Sequence, residues 1–152
     1  MKREIRVSVA AVVERDGQFL TVEEANNGGP MVFNQPAGHL EPGETLIEAV
    51  RREVLEETAY WFEPRGIVGL YLYTNPSSHI TYLRVCFYGA CSGHDETRAL
   101  DPEIVRAVWL TRDELTGLED RLRTPLVLRC LDDYLAGRRY PLTLIADLAG
   151  PA

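Results

Sequence analysis

The sequence predicts an α/β sandwich, in which a mixed sheet packs against a few helices. Two observations predict this class. Short runs rich in β-branched and aromatic residues recur along the chain and are separated by turn residues. Between them lie segments whose apolar residues recur at helical spacing. The 152 residues contain no repeat, low-complexity stretch or linker, so a single domain over residues 1–152 is expected.

The first predicted elements are a β-hairpin and a short strand. Val7–Val13 and Phe19–Val22 flank Asp16-Gly17, a dipeptide that favours tight hairpin turns. A loop rich in glycine and asparagine occupies residues 26–30, and Met31–Asn34 is predicted to form a short strand.

The rest of the chain predicts three helices and three strands. The first helix is predicted over Thr45–Thr58, followed by strands over 67–74, 79–91 and 104–110. Residues 92–101 are predicted as a polar loop. A helix starts near Thr111, which forms a capping box with Glu114. The last helix is predicted over 122–135, with a start at Thr124-Pro125 as the alternative.

Composition excludes several classes of protein. With 45% hydrophobic and 26% charged residues, the chain has the composition of a soluble globular domain. A net charge of −7 argues against a basic surface for a nucleic-acid polymer. No apolar stretch approaches the length that crosses a membrane. The cysteines, Cys86, Cys91 and Cys130, lack metal-site spacing, and their sparse, odd number fits a reducing cytoplasm.

The most informative segment runs from Gly38 to Tyr60. A helix advances about 100° per residue, so Glu53, Glu56 and Glu57 lie on one side of it. Two carboxylates about 6 Å apart repel by about 3 kcal/mol at an effective dielectric of about 20. Such a cluster requires a cation, a shared proton or full solvation, and oxygen ligands favour a hard cation such as Mg²⁺ or Mn²⁺.

A solvated acidic helix face is the ordinary alternative for such a run. Two features favour a site. The acids border an apolar stripe on the helical wheel, formed by Leu46, Ile47, Val50 and Val54. The preceding segment is a structured loop with turn residues at Gly38, Pro42 and Gly43.

The segment resembles the Nudix box, G-x5-E-x7-R-E-U-x-E-E-x-G-U, in which U is a bulky apolar residue. Seven residues occupy the required positions: Gly38, Glu44, Arg52, Glu53, Val54, Glu56 and Glu57. Two positions differ, because Ala59 replaces the second glycine and Tyr60 the last apolar residue. That glycine ends the helix in the family, and an alanine in a left-handed conformation there would be strained by about 1 kcal/mol. The sequence therefore does not predict how this helix ends.

Residues 33–41, 81–84 and 123–127 resemble the NudJ branch of Nudix phosphatases, and this resemblance covers most of residues 4–140. It implies a Nudix-type α/β/α sandwich with a mixed β-sheet. The box, residues 38–60, then forms a loop–helix–loop catalytic motif. The implied activity is the hydrolysis of phosphorus-containing anhydrides.

The resemblance also implies roles for the box residues. Glu53, Glu56, Glu57 and the Gly38 carbonyl are the expected metal ligands. A divalent cation lowers the pKa of an attacking water, and a glutamate accepts its proton. Glu57 and Glu53 are the leading candidates for this base, and Glu103 is a candidate acid from outside the box.

Two further box residues have two interpretations each. Glu44 either caps the helix or takes a direct part in the site. Arg52 either forms a surface ion pair with Glu48 and Glu56 or, as the resemblance favours, orients the glutamates.

Candidate substrate contacts lie outside the box. Arg84 and Arg123 are either phosphate ligands or solvated surface residues. Asn34 and Gln35 either contact substrate or hold the Gly38 loop. Aromatic residues on strands either stack on a substrate ring or pack in the core, and they are Tyr71, Tyr73, Tyr82 and Trp109.

These expectations describe a Mg²⁺-dependent cytoplasmic hydrolase, for which Mn²⁺ can substitute, acting as a monomer or homodimer. Its expected substrates are nucleoside tri- or diphosphates, or hydroxymethylpyrimidine or thiamine pyrophosphate, with release of orthophosphate. One alternative is a pyrophosphohydrolase acting on nucleoside diphosphate–X compounds such as ADP-ribose. A non-catalytic nucleotide-sensing module is the alternative from a different class.

Overall fold

The chain begins with the predicted hairpin. In a computed structural model that describes residues 4–148, strand β1 spans Ile5–Arg15 and strand β2 spans Gln18–Glu24. Asp16 and Gly17 form the turn, with φ values of 52° and 76°. Both values lie in the left-handed region that Asp-Gly hairpin turns use, so this prediction is confirmed.

The strands form one mixed seven-stranded sheet. The remaining strands are β3 (Val32–Asn34), β4 (Ala37–His39), β5 (Tyr60–Thr74), β6 (Thr81–His94) and β7 (Ile104–Thr111). The main order is β3-β2-β1-β6-β5, with β4 paired to β1 and β7 paired to β2. The β1–β6 pair is parallel, and the other described pairs are antiparallel.

Helices cover both faces of the sheet, which confirms the predicted α/β/α sandwich. They are α1 (Leu46–Thr58), α2 (Arg112–Thr116) and α3 (Leu126–Leu135). Alternate residues of β1 and β6 face opposite ways. Val9 and Phe87 pack in the core beneath α1, whereas Ala10 and Cys86 pack in the core beneath α3.

The box helix α1 has defined ends. Thr45 is its N-cap, where the Thr45 hydroxyl accepts from the Glu48 N–H at 3.0 Å and the Glu48 carboxylate accepts from the Thr45 N–H at 3.3 Å. Ala59 follows the last turn with φ 62° and ψ 17°, and its N–H donates to the Leu55 carbonyl at 2.9 Å. The helix therefore ends on a left-handed alanine, at the position where the sequence made no prediction.

Predicted boundaries of two strands are wrong. β5 starts at Tyr60, directly after Ala59, and β6 runs to His94. Both extensions arise because Tyr60 pairs with His94 across the β5–β6 ladder, and this pairing outweighs the polar composition that predicted a loop from residue 92. The last helix starts at Leu126, with Pro125 as its N-cap, which agrees with the alternative start.

No helix within residues 4–148 is both long and apolar enough to span a membrane.

Candidate active site

The box helix borders a cavity of about 830 Å³. Carboxylates of Glu53 and Glu57 line one side of it, and Asp101 and Glu103 come from the loop before β7. The other lining residues are mostly polar, charged or aromatic and include Ser8, Asn34, Tyr73, Tyr82, Arg84 and Arg123. The structure therefore gathers box and non-box candidates around one cavity.

Gly38 is required by the position of Glu53. A Cβ atom at residue 38 would lie 2.0 Å from Cδ of Glu53 and 2.2 Å from its Oε1. No real contact is that short, so the carboxylate occupies the space that any other side chain would need. Gly38 sits in β4 opposite Val9 of β1, which fixes the loop against the sheet. Its carbonyl as a metal ligand remains a prediction.

Glu57 and Glu53 are buried acids. Glu57 is 7% exposed and Glu53 is 9% exposed. Burial raises the pKa of Glu57 to about 9, although its Oε1 accepts the Ala37 N–H at 2.9 Å. Burial also raises the pKa of Glu53 to about 7, against the lowering effect of Arg52. Without a bound cation, burial therefore favours the protonated form of Glu57 at neutral pH, whereas Glu53 titrates near neutrality.

Asp101 joins the box acids and was not predicted. Carboxylate oxygens of Glu53, Glu56 and Asp101 lie within 4.8 Å of one another. The Asp101 N–H donates to the Glu56 carbonyl at 3.0 Å, so the end of α1 holds this loop. Glu103, the predicted outside acid, lines the cavity but is not in this group. No local pattern in the sequence marks Asp101, because the contact depends on how its loop folds back.

Three convergent oxygen donors, of which Glu53 is buried and Glu56 and Asp101 are half-buried, suit a hard divalent cation. The raised pKa of Glu53 is the signature of a carboxylate that burial destabilises unless a positive charge compensates it. The donor set therefore fits a divalent metal. A metal would also relieve the mutual repulsion that the sequence predicts for these acids.

Arg52 connects the acids. Its guanidinium donates to Glu53 at 2.7 Å and to Glu56 at 3.2 Å. It also donates to both oxygens of Glu44, at 2.7 and 3.0 Å. These bonds, first of all those to Glu44, raise the pKa of Arg52 above its ordinary value. Arg52 thus contacts the acids directly, as the orienting interpretation requires, and makes no pair with Glu48.

Glu44 does not cap the helix, because Thr45 and Glu48 form the capping box. Its carboxylate instead accepts the Glu41 N–H at 2.8 Å and pairs with Arg52. The capping interpretation of Glu44 is therefore wrong, since the chain offers a threonine at the position that capping geometry demands.

Gln35 forms a hydrogen bond with Arg84, which lines the cavity. The Gln35 amide donates to the Ala11 carbonyl at 3.3 Å, and its oxygen accepts from Nη1 of Arg84 at 3.2 Å. These contacts fit the loop-holding interpretation of Gln35. Arg84 is 7% exposed, so the solvated-surface interpretation is wrong for this arginine.

Arg123 forms an ion pair with Glu24, an acid that the sequence did not indicate as a candidate. Its Nε donates to Glu24, and its Nη2 donates to the Ala25 carbonyl at 3.3 Å. The Asn34 amide also donates to Glu24, at 3.3 Å. Glu24 is 6% exposed, so Arg123 and Asn34 together compensate a buried carboxylate.

Among the aromatic candidates, Tyr82 and Tyr73 line the cavity. The Tyr82 ring stacks on His39, with centroids 5.9 Å apart and planes inclined by 18°. Tyr71 instead packs in the core, and its hydroxyl donates to Asp133 at 2.8 Å. Trp109 packs against the core beneath α1. Stacking on substrate is therefore wrong for Tyr71 and Trp109.

Known proteins resemble this chain over nearly its whole length. A NUDIX domain model matches residues 2–128. Phosphatase NudJ of Escherichia coli strain K12 is 38% identical over 145 residues, which cover 95% of this chain and 93% of that protein. A NUDIX hydrolase from Nitrosomonas europaea is 48% identical with a TM-score of 0.94, covering 97% of this chain and 99% of that one.

A third similarity concerns the fold alone. An ADP-ribose pyrophosphatase from Streptococcus suis superimposes with a TM-score of 0.65 at 18% identity, covering 89% of this chain and 95% of that one. The family model spans the whole box, residues 38–60. The chain therefore belongs to the Nudix family and is a hydrolase of phosphorus-containing anhydrides.

Proposed function

We propose that this chain is a Mg²⁺-dependent phosphatase that releases orthophosphate from small phosphorylated metabolites. The observation that carries the proposal is the acidic group of Glu53, Glu56 and Asp101. Two of its members, Glu53 and Asp101, line one cavity together with the buried Glu57. The 38% identity to a relative named as a phosphatase supports orthophosphate as the product. Nucleoside tri- and diphosphates, and hydroxymethylpyrimidine or thiamine pyrophosphate, are the substrates to test first.

The proposed metal ligands are Glu53, Glu56 and Asp101, with Glu57 and the Gly38 carbonyl as the further ligands expected from the box. When bound, Mg²⁺, or Mn²⁺ in its place, neutralises charge on phosphoryl oxygens and lowers the pKa of an attacking water. Oxygen-only donors match both cations.

Each nearby residue then has a defined task. Glu57 accepts the proton of the attacking water, and Glu53 is the alternative base. The Ala37 N–H holds one Glu57 oxygen at 2.9 Å, which leaves the other free for this role. Arg52 is a positioning residue, because it grips Glu53 and Glu56 while Glu44 fixes its own guanidinium. Glu103 and Tyr82 line the cavity where substrate would lie.

A substrate panel with Mg²⁺ tests this proposal. Each compound is incubated with the protein, and orthophosphate, pyrophosphate and the organic product are measured separately. Orthophosphate from diphosphates or triphosphates supports the proposal. No hydrolysis of any anhydride, by folded protein with millimolar Mg²⁺, contradicts it.

The second candidate is a pyrophosphohydrolase acting on nucleoside diphosphate–X compounds. The shared fold with an ADP-ribose pyrophosphatase motivates it, and the cavity of about 830 Å³ is large enough for a nucleotide-sized ligand. The same panel separates the two: a nucleoside monophosphate together with phosphorylated X supports this candidate.

A nucleotide-sensing module without activity is the alternative from another class. The complete set of box acids and Arg52 argues against it. Nucleotide binding without turnover in millimolar Mg²⁺ would favour it. As proposed, the enzyme works in the cytoplasm, as a monomer or homodimer, on small substrates and not on nucleic-acid polymers.

A further inference from the structure

Strand β5 lies at one edge of the sheet, and part of that edge is open. It ends the strand order β3-β2-β1-β6-β5. On the side away from β6, Ile67 exchanges two backbone hydrogen bonds with Tyr140, each 2.8 Å long. No further strand pairing covers this side within residues 4–148. Residues 68–74, which complete β5, therefore present a row of unpaired backbone N–H and C=O groups.

The open edge borders a groove of about 640 Å³. The groove is lined by residues 67–72 of β5, by the start of α3 and by the segment that follows α3. The last two parts contribute Pro125, Leu126 and Arg129, and Arg138, Tyr140 and Leu144. A groove along an unpaired strand edge suits an extended segment that adds to the sheet as a further strand.

Two leucines make this edge apolar. Leu70 is 60% exposed and Leu72 is 75% exposed, and residues two apart on a strand project from the same face. Tyr140 and Leu144, which line the same groove, are 45% and 60% exposed. Native edge strands are normally protected by charged side chains or by a covering segment. Exposed apolar residues grouped at an open edge therefore indicate an interaction surface.

The open stretch is complementary to a second copy of itself. Tyr71 is the middle residue of the seven in 68–74. When two copies pair antiparallel about a two-fold axis at Tyr71, the whole stretch pairs, and Leu70 of one copy lies opposite Leu72 of the other. Each exposed leucine then packs against a leucine across the axis, as in the apolar cross-strand pairs that stabilise sheets.

The charge distribution suits self-association. A two-fold axis brings each side chain near the same side chain of the other copy, so a charged strip would repel itself. Residues 66–80 contain no Asp, Glu, Lys or Arg. The arginines of the groove, Arg129 and Arg138, both pair with Asp133, at 3.1 and 3.7 Å. The open strand therefore carries no like charges that oppose its pairing with a copy of itself.

The edge is large enough for a stable dimer. Seven extended residues are about 24 Å long, and a sheet with one packed layer on each side is about 30 Å thick. These dimensions give about 700 Å² per copy, close to the value of about 800 Å² per partner in a standard interface.

We propose that this chain forms a symmetric dimer in which the β5 edges of two copies pair antiparallel about Tyr71, so that the two sheets become continuous. Neither Leu70 nor Leu72 lines the acidic cavity, so the inference does not rest on the proposed function. It selects the homodimer over the monomer and assigns its interface to the open edge of β5.

Sedimentation velocity at about 1–100 µM protein tests the dimer. The wild type should shift with concentration from the 17.1 kDa of one chain to twice that mass. A double variant, Leu70→Lys with Leu72→Lys, should raise the dissociation constant at least 10²-fold, because ammonium groups of the two copies meet at the axis. Leu135→Lys is the matched control, since this leucine of α3 is 51% exposed but does not line the groove; its dissociation constant should equal that of the wild type.

Charge reversal tests the register. A second double variant, Leu70→Glu with Leu72→Glu, should also be monomeric alone. Mixed in equal amounts with the lysine variant, it should form a heterodimer, because position 70 of each copy faces position 72 of the other and opposite charges then meet. If both variants are folded by circular dichroism and their mixture stays monomeric, pairing about Tyr71 is wrong.

Hydrogen exchange on the wild type keeps the test valid if the variants fail to fold. Amides of residues 68–74 should exchange more slowly at a concentration where the protein is dimeric than after dilution. A wild type that is monomeric at every concentration overturns the proposal and leaves the groove to another extended partner. A dimer that persists in the charged variants, or that leaves exchange in residues 68–74 unchanged, has its interface elsewhere and overturns the proposal as well.

Discussion

Replacing Glu57 by Gln should strongly reduce turnover and, in the absence of metal, stabilise the protein above neutral pH. Gln keeps the size of the side chain and an oxygen that can accept the Ala37 N–H. It cannot take a proton from water, so kcat should fall at least 10²-fold. The stability gain follows from burial, because the folded protein raises the pKa of Glu57 from 4.5 to about 9.

The sign of the pH effect is fixed by this shift. Below pH 4.5 the carboxyl is protonated in both the folded and the unfolded chain. As pH rises toward 9, the unfolded chain releases the proton while the folded chain retains it, so the free energy of unfolding decreases. Each pH unit is worth about 1.4 kcal/mol, which gives a loss of about 3 kcal/mol between pH 4.5 and 7. Glu53, with a pKa of about 7, adds to the same trend.

The assay is urea unfolding in EDTA at several pH values between 5 and 8. The wild type should lose stability as pH rises, and Glu57→Gln should show a shallower slope and the higher stability at pH 8. Added Mg²⁺ should reduce or reverse the slope for the wild type, because the cation binds ionised carboxylates. Parallel slopes for the two proteins in EDTA, or near wild-type turnover in the variant, would refute the reasoning.

Three further predictions concern the metal site. EDTA should abolish hydrolysis and excess Mg²⁺ should restore it; activity that persists without metal contradicts the mechanism. Gly38→Ala should lower kcat at least tenfold and destabilise the fold by about 1–3 kcal/mol, measured by urea unfolding, since its Cβ would lie 2.0 Å from Cδ of Glu53. Asp101→Asn should raise the Mg²⁺ concentration for half-maximal activity at least tenfold, whereas the exposed Glu96→Gln in the same loop should not; equal Mg²⁺ requirements would remove Asp101 from the site.

Local patterns in the sequence predicted most of the fold. The Asp16-Gly17 turn and the Thr111 capping box depend on residues close together in the chain, and the structure contains both. The start of β5 and the end of β6 were not predicted, because they depend on pairing between Tyr60 and His94. The local sequence around Tyr60 does not indicate that His94 is its pairing partner.

The candidate site likewise combines residues that local sequence patterns predicted with residues that they did not predict. The spacing of Glu53, Glu56 and Glu57 on a helix is a local property. The sequence therefore predicted that the three side chains lie on one side of the helix. Asp101 and Glu24 line the cavity because of the way the loops and strands fold. Local sequence patterns do not predict this position. Ser8 left a weak signal, since it alternates with apolar neighbours on β1. Period-two alternation marks it as facing a different surface from Val7 and Val9.

The loop that carries Asp101 has a consequence for the order of folding. It is tied to the end of α1 by two hydrogen bonds, from the Asp101 N–H to the Glu56 carbonyl and from the Asp95 N–H to the Ala59 carbonyl, each 3.0 Å long. Forming contacts between segments so far apart in the chain costs loop-closure entropy, whereas forming a helix does not. Tight cation binding should therefore appear only after the β6–β7 connection has docked. During refolding the cation would then report completion of the native topology, well after the box helix itself has formed.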